Sequence, residues 1–276
     1  MQLGDDDESN VEDRRGAGGG GGVRRMGVGL GTIVVLGVLS VVFKQNFFAL
    51  LGNGPAPAPA PVTRSDDPAR RAREEPLKKI AVRSFNDAQH ELGRLVSARG
   101  AAYRPATLVL FWDEVFSGGC GGATADTGPF YCPADEKVYI DLGFFDELSR
   151  RFGAPGDFAQ GYVIAHEMGH HLQKVLRLNG FGPNERLTKN GRSVRVELQA
   201  DCLAGVWGAT AARRKLLDPG DVEEGLRAAA AIGDDRLQRM AGRRVSPESF
   251  THGSSADRVR AFRAGFDFGS LDACLN

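Results

Sequence analysis

The apolar positions divide the chain into a polar start, one unbroken apolar run, a proline-punctuated stretch and a long region of changing period. Gly27 to Phe43 carries no charge, Lys44-Gln45-Asn46 interrupts, and Phe47 to Leu51 resumes the apolar character. A run over 27–51 is long enough for a hydrocarbon core of ~30 Å, with the lysine snorkelling, so it predicts one transmembrane helix. Over 77–99, Leu77, Ile80, Ala81, Phe85, Ala88, Leu92 and Leu95 recur at the spacing of one helical face. Thr107 to Phe111 and Lys137 to Leu142 read as short strands with a glycine-rich loop between them, and 144–152 as a short helix. Asp157, three residues before Gln160, has the capping-box spacing that starts a long helix, which Asn179-Gly180 should stop. Further helices are expected over 191–213, after Asp218-Pro219, and within 234–266. The pattern is α+β, rich in helix, with a small β-sheet.

The flanks refine this picture. Residues 1–26 begin with Asp5-Asp6-Asp7-Glu8 and run into Gly18 to Gly22, a composition that predicts a disordered tail. Arg14, Arg15, Arg24 and Arg25 precede the apolar run, while Lys44 alone closely follows it. The positive-inside rule then places the N-terminus in the cytoplasm and everything past residue 51 outside. The prolines around Ala56-Pro57-Ala58 argue against a cleaved signal peptide there. Residues 54–61 alternate proline with alanine, a polyproline II spacer of roughly 25 Å. The expected organisation is therefore a tail (1–26), an anchor (27–51), a linker (52–76) and a globular domain (77–276). Thirty-five basic residues balance thirty-five acidic ones. That removes the electrostatic reason to expect nucleic acid as a partner. A mean hydropathy of −0.26 excludes a polytopic membrane protein.

The long helix carries His166-Glu167-Met168-Gly169-His170. Positions i and i+4 lie about 40° apart on a helix, so both imidazoles can share one cation, with Glu167 beside them to take a proton from water. Two imidazoles need a third donor to leave one coordination position open. Glu197 and Asp201 share a face of the next predicted helix; Glu197 is the candidate third ligand and Asp201 a hydrogen-bond acceptor for a ligating histidine. His171 lies about 140° around the helix from His166 and should face elsewhere. Gly169 should let another segment approach closely, and Tyr162, one turn before His166, reads as core. The bland alternative is a pair of surface histidines straddling an acidic residue.

His-Glu-x-x-His followed by Glu-x-x-x-Asp resembles the gluzincin class of zinc peptidases. Gly128 to Pro133, Val138 to Leu142, Arg151 to Ala154, the motif helix, Glu197 to Cys202, Asn10 to Gly16 and Phe250 to Gly253 together resemble the bacterial neutral zinc metallopeptidase family. The similarity covers nearly the whole chain. It implies a helix-rich, zincin-like fold, one Zn²⁺ per chain held by His166, His170 and Glu197, and a protein or peptide substrate. Thr251-His252-Gly253 with Arg258 is similar to a segment of CAAX-prenyl-protease-type membrane metallopeptidases, in which the histidine lies near the metal and the arginine helps hold the site. That group usually has proline where this chain has Gly253. His252 is therefore expected to stabilise the oxyanion, the alternative being a surface histidine ahead of a helix cap at Ser254.

Four cysteines are expected to pair as Cys120–Cys132 and Cys202–Cys274, one of three connectivities that sequence alone does not separate. The resulting expectation is a zinc peptidase anchored once in a bacterial cell membrane and acting outside the cytoplasm. Its catalytic base would be Glu167, and its extended substrate would lie along an edge strand at Val138 to Asp141. A silent membrane-tethered binding protein on the same fold, or a metal-dependent cell-wall amidase, are the alternatives.

Overall fold

The computed structural model describes residues 1–16, 67–178 and 189–275. Strand β1 (Val11–Asp13) is followed by helix α1 (Pro68–Ala98), β2 (Thr107–Phe111), the hairpin β3 (Glu114–Ser117) and β4 (Gly121–Thr124), β5 (Phe130–Cys132) and β6 (Lys137–Asp141). Helices α2 (Gly143–Arg150), α3 (Asp157–Val175), α4 (Lys189–Arg213), α5 (Asp221–Ala231), α6 (Asp234–Met240), α7 (Ser255–Phe268) and α8 (Asp272–Leu275) complete it. The main sheet has the order β1-β2-β6-β5, parallel except for β5. Side chains alternate across a strand. Leu108, Leu110, Val138 and Ile140 therefore join α1 and α3 in the main core, while Val109, Phe111 and Tyr139 face Val115 of the hairpin. Burial on both faces is why Leu108 to Phe111 and Val138 to Ile140 read as unbroken apolar runs.

Helix α3 is buried nearly all round, with Phe158, Tyr162, Ile164, Met168 and Leu172 fully enclosed. Each large apolar side chain so buried contributes about 2 kcal/mol. The capping box expected at its start does not form. Gly156 occupies the N-cap position, and the Asp157 carboxylate accepts from the Met1 amino group at 2.9 Å instead. The expected stop at Asn179-Gly180 lies outside the described residues. Helix α5 starts at Asp221 rather than at Pro219, because the Asp221 side chain accepts from the Asp218 amide at 2.8 Å and holds a turn there. The stretch expected as helical over 234–266 divides into α6 and α7.

Two boundaries are corrected. Helix α1 begins at Pro68, inside the expected linker, because Asp67 accepts hydrogen bonds from the amides of Ala69 and Arg70 and proline takes the first helical position. The remainder of that linker lies outside the described residues. Residues 1–16, expected to be disordered, are ordered. Their acids meet cations of α1, Glu8 with Lys78 at 2.8 Å and Asp6 with Arg83 at 2.6 Å. Arg15 is buried between Asp13, Glu74 and Glu75. Local composition does not reveal partners so far along the chain.

The membrane anchor is corrected as well. Among the described residues no helix is long and apolar enough to cross a membrane; residues 27–51 themselves lie outside the described residues. The single-pass topology fails on a second ground. Strand β1 precedes that run and β2 follows it, yet Val11 to Asp13 pair in parallel with Leu108 to Leu110. Two hydrogen-bonded strands of one sheet cannot lie on opposite sides of a bilayer, so a cytoplasmic N-terminus with an external domain is ruled out, and with it the single-pass anchor expected as the membrane partner.

Candidate metal centre

Helices α3 and α4 meet almost backbone to backbone. A Cβ added at Gly169 would lie 3.0 Å from both Cα and O of Ala200 and would push the helices apart, so glycine favours this close approach, as the sequence led us to expect. The contact brings Glu197 opposite the histidine pair. Its Oε2 lies 3.1 Å from His166 Nε2 and its Oε1 3.6 Å from His170 Nε2. One donor atom from each of the three residues falls within 4.8 Å of the others. The two imidazoles stand edge to face, their centroids 4.8 Å apart.

The far nitrogens of both rings are engaged. His166 Nδ1 donates to Asp201 Oδ1 at 2.8 Å and His170 Nδ1 to Gln173 Oε1 at 2.8 Å. Gln173 is oriented in turn by donating from Nε2 to the Val196 carbonyl and to Gln199. With Nδ1 donating, a ring that gives up its second proton to a cation carries its lone pair on Nε2, the nitrogen on the Glu197 side. The charges are strongly coupled. Burial opposes protonation of His166, but Asp201 and then Glu197 push its pKa up to about 10. Burial likewise opposes the charge on Glu197, and the imidazoles of His170 and His166 hold it well below the usual carboxylate range. Two imidazoles and a carboxylate, each with an outward partner, form a donor set that fits Zn²⁺.

Asp201 is the hub behind this set. Arg258 donates to its Oδ2 through Nε at 2.8 Å and to its Oδ1 through Nη2 at 2.9 Å, and the Tyr162 hydroxyl donates to Oδ1 at 2.5 Å. Arg258 reaches this point because α4 and α7 pack glycine to backbone: a Cβ at Gly265 would fall 1.8 Å from the Cys202 carbonyl oxygen. The Cys202–Cys274 disulfide pins the tail to α4 beside Asp201, and Cys120–Cys132 joins β5 to the hairpin.

Glu167 is 7% exposed, and no hydrogen bond engages its carboxylate among the described residues. His252 is half-exposed, with Nδ1 3.2 Å from Asp234 Oδ1. Asp234 Oδ2 accepts the amides of Thr251, His252 and Gly253 and so fixes the turn that presents the ring. Burial disfavours the charged ring, yet the Asp234 hydrogen bond and the nearby Glu197 charge raise its pKa. The helix cap that follows is supplied by Ser254, which accepts from the Asp257 amide. His171 faces away from the cluster, donating to the Arg104 carbonyl at 2.6 Å and accepting from Tyr131 at 3.1 Å.

Sequence reasoning missed three contributors. Tyr162 is buried as expected, but its hydroxyl belongs to the Asp201 hub. Gln173, three residues after His170, and Asp234 went unnoticed; helical spacing could have indicated Gln173, whereas nothing local marks Asp234. The substrate-binding edge expected at Val138 to Asp141 is also corrected. Strand β6 is paired on both sides, by β2 and β5, so β5 is the edge strand beside α3.

A second group of possible donors, Asp157, Asp221 and Glu224, lies at the start of α3 and α5. It holds no imidazole, and the Met1 amino group sits 2.9 Å from Asp157 and 3.3 Å from Asp221.

The sequence model of the family described as "Putative neutral zinc metallopeptidase" matches residues 2–276. A protein of Escherichia coli (strain K12) named "Uncharacterized protein YpfJ" is 41% identical over 282 residues, covering 97% of this chain and 95% of its own. "Uncharacterized protein Mb2605" of Mycobacterium bovis and "Uncharacterized protein Rv2575" of Mycobacterium tuberculosis are each 43% identical over 176 residues, 58% of this chain and 60% of theirs. No solved structure matches the chain.

Proposed function

From the premise that the chain belongs to this neutral zinc metallopeptidase family, we propose that it hydrolyses peptide bonds with one Zn²⁺ held by His166, His170 and Glu197. The observation that carries this reading is the convergence of three donor atoms within 4.8 Å of one another, with both Nδ1 nitrogens already committed elsewhere. A zinc ion supplies a Lewis acid for the scissile carbonyl and makes a water easier to deprotonate. Glu167 takes the proton of the attacking water and returns it to the leaving amine. Its suitability rests on being the uncommitted carboxylate of the centre, since Glu197 faces the imidazoles and Asp201 serves Arg258, Tyr162 and His166. His252, held in place by Asp234, donates to the oxyanion as negative charge develops. Arg258 keeps Asp201 ionised, and Asp201 keeps the His166 ring in place. An extended peptide adds to the sheet at β5, the edge strand nearest α3.

The test is Glu167→Gln. Zinc content per chain should stay at the wild-type level while peptide hydrolysis falls at least ~10³-fold, the scale of removing a general base. Hydrolysis by the variant at the wild-type rate would remove Glu167 from the mechanism. Zinc retention without hydrolysis in the wild type would favour the silent-binding alternative, and cleavage of muropeptides in place of peptides the amidase.

A further inference from the structure

A cavity of about 510 Å³ lies against the first turns of α4 and the segment leading into α7. This is within the ordinary range for ligand pockets. Two of the elements that line it also carry Glu197 and His252. Val194 lines it one helical turn, about 5 Å, before Glu197. Gly253 lines it directly after His252, and a Cβ there would meet Val194 Cγ1 at 3.3 Å and Leu198 Cδ2 at 3.2 Å, so this wall is closed by the α4 side chains.

The lining has a definite chemistry. Val194, Pro247 and Phe250 supply apolar walls, Glu248 and Asp257 supply carboxylates, and no lysine, arginine or histidine lines the cavity among the described residues. The two acids differ. Asp257 is engaged twice, accepting from Ser254 at 2.6 Å and pairing with Arg260 on the same helix. Glu248 is exposed and accepts from Ser246, which holds its pKa low and keeps it a carboxylate; no cation pairs with it among the described residues. A long side chain with an apolar stem and a cationic head matches both features, the stem against Val194 and Phe250 and the head at Glu248.

Resting on the peptidase reading of the metal centre, we infer that this cavity is the subsite that selects a lysine or arginine side chain near the scissile bond of the substrate. The neutral amide bond is cut at the metal centre, and the basic residue one or two positions away sets which bond is presented.

The experiment is a fluorogenic peptide library, scanned at each position flanking the cut with lysine, its uncharged near-isostere norleucine, and glutamate. It is read as kcat and KM for the zinc-loaded wild type, Glu248→Gln and Glu248→Lys. Glu248 is exposed, so the substitutions do not threaten the fold, and their zinc content is measured alongside. The wild type should prefer lysine over norleucine at one position by about fivefold in kcat/KM, the scale of a partly exposed ion pair. Glu248→Gln should erase that preference through KM, and Glu248→Lys should turn it toward glutamate. A lysine-to-norleucine ratio that is the same in all three proteins overturns the subsite while leaving the peptidase reading intact. Absence of cleavage of every library peptide by the zinc-loaded wild type overturns both.

Discussion

At its first residue α3 offers Asp157 to a cluster with Asp221 and Glu224. About two and a half turns later it offers His166 and His170 to a cluster with Glu197. Both sets bring three potential donor atoms within 4.8 Å, yet they are built on opposite principles. The first is answered from within the chain: the Met1 amino group sits among its carboxylates, and Glu224 Oε2 is buried without a partner. The second has an outer ring, Asp201 and Gln173, that aims each imidazole, with Arg258 and Tyr162 behind Asp201. Nearness of donors is thus common to both, and orientation separates them. A metal centre is a set of lone pairs held facing one point by groups that do not touch the ion.

The largest expected effect tests that contrast directly. Glu197→Ala should weaken zinc binding by more than about 100-fold, whereas Glu224→Gln should leave zinc content per chain unchanged. Equal loss in both, read by metal analysis after dialysis, would break the distinction. Next comes the outer ring. Asp201→Asn should lower zinc affinity by about 10–100-fold in a chelator competition. It should also cost roughly 3 kcal/mol in denaturant unfolding of the metal-free protein, because Arg258 loses its buried counter-charge. Adding Arg258→Met should restore much of the stability without restoring the affinity; recovery of both would make Asp201 a packing residue only.

The smallest effect belongs to the first cluster and concerns pH. Burial disfavours the charged Met1 amino group, but hydrogen bonds from it to Asp218 and Asp157 raise its pKa from 8.0 to about 10. A raised pKa in the folded state stabilises the fold fully below pH 8, and that contribution is lost as pH rises through about 10. Since its partners Asp157 and Asp218 are partly open to solvent, screening should hold the loss to less than about 1 kcal/mol. The urea midpoint measured from pH 7 to pH 10 should fall, and fall less in Asp157→Asn. A midpoint that rises over this range would contradict the pairing.

The same contrast explains what was legible in the sequence. His166, Glu167 and His170 are recognisable because helical spacing is local, and Glu197 because its helix follows directly. The strands at 107–111 and 137–141 declared themselves through the apolar stretches 108–111 and 138–140, since both faces of their sheet are covered. Strand β1 did not: three residues rich in charge become a strand only because β2 and the cations of α1 are waiting for them. The acids of residues 1–16 looked like solvated tail for the same reason. Tyr162 was visible as an apolar ring but not as a hydroxyl with a purpose, because its partner Asp201 is on another helix. Asp234, holding the turn at His252, illustrates the same limit.

The seam at Arg15 has one more implication. Arg15 bonds to Asp13 and Glu75, and Arg71 donates to the Arg15 carbonyl, so the points where residues 17–66 depart and rejoin are stitched to each other. Removing Arg15 would leave Asp13, Glu74 and Glu75 without the buried cation they share, so a single side chain lets an acidic strand and an acidic helical turn lie against each other.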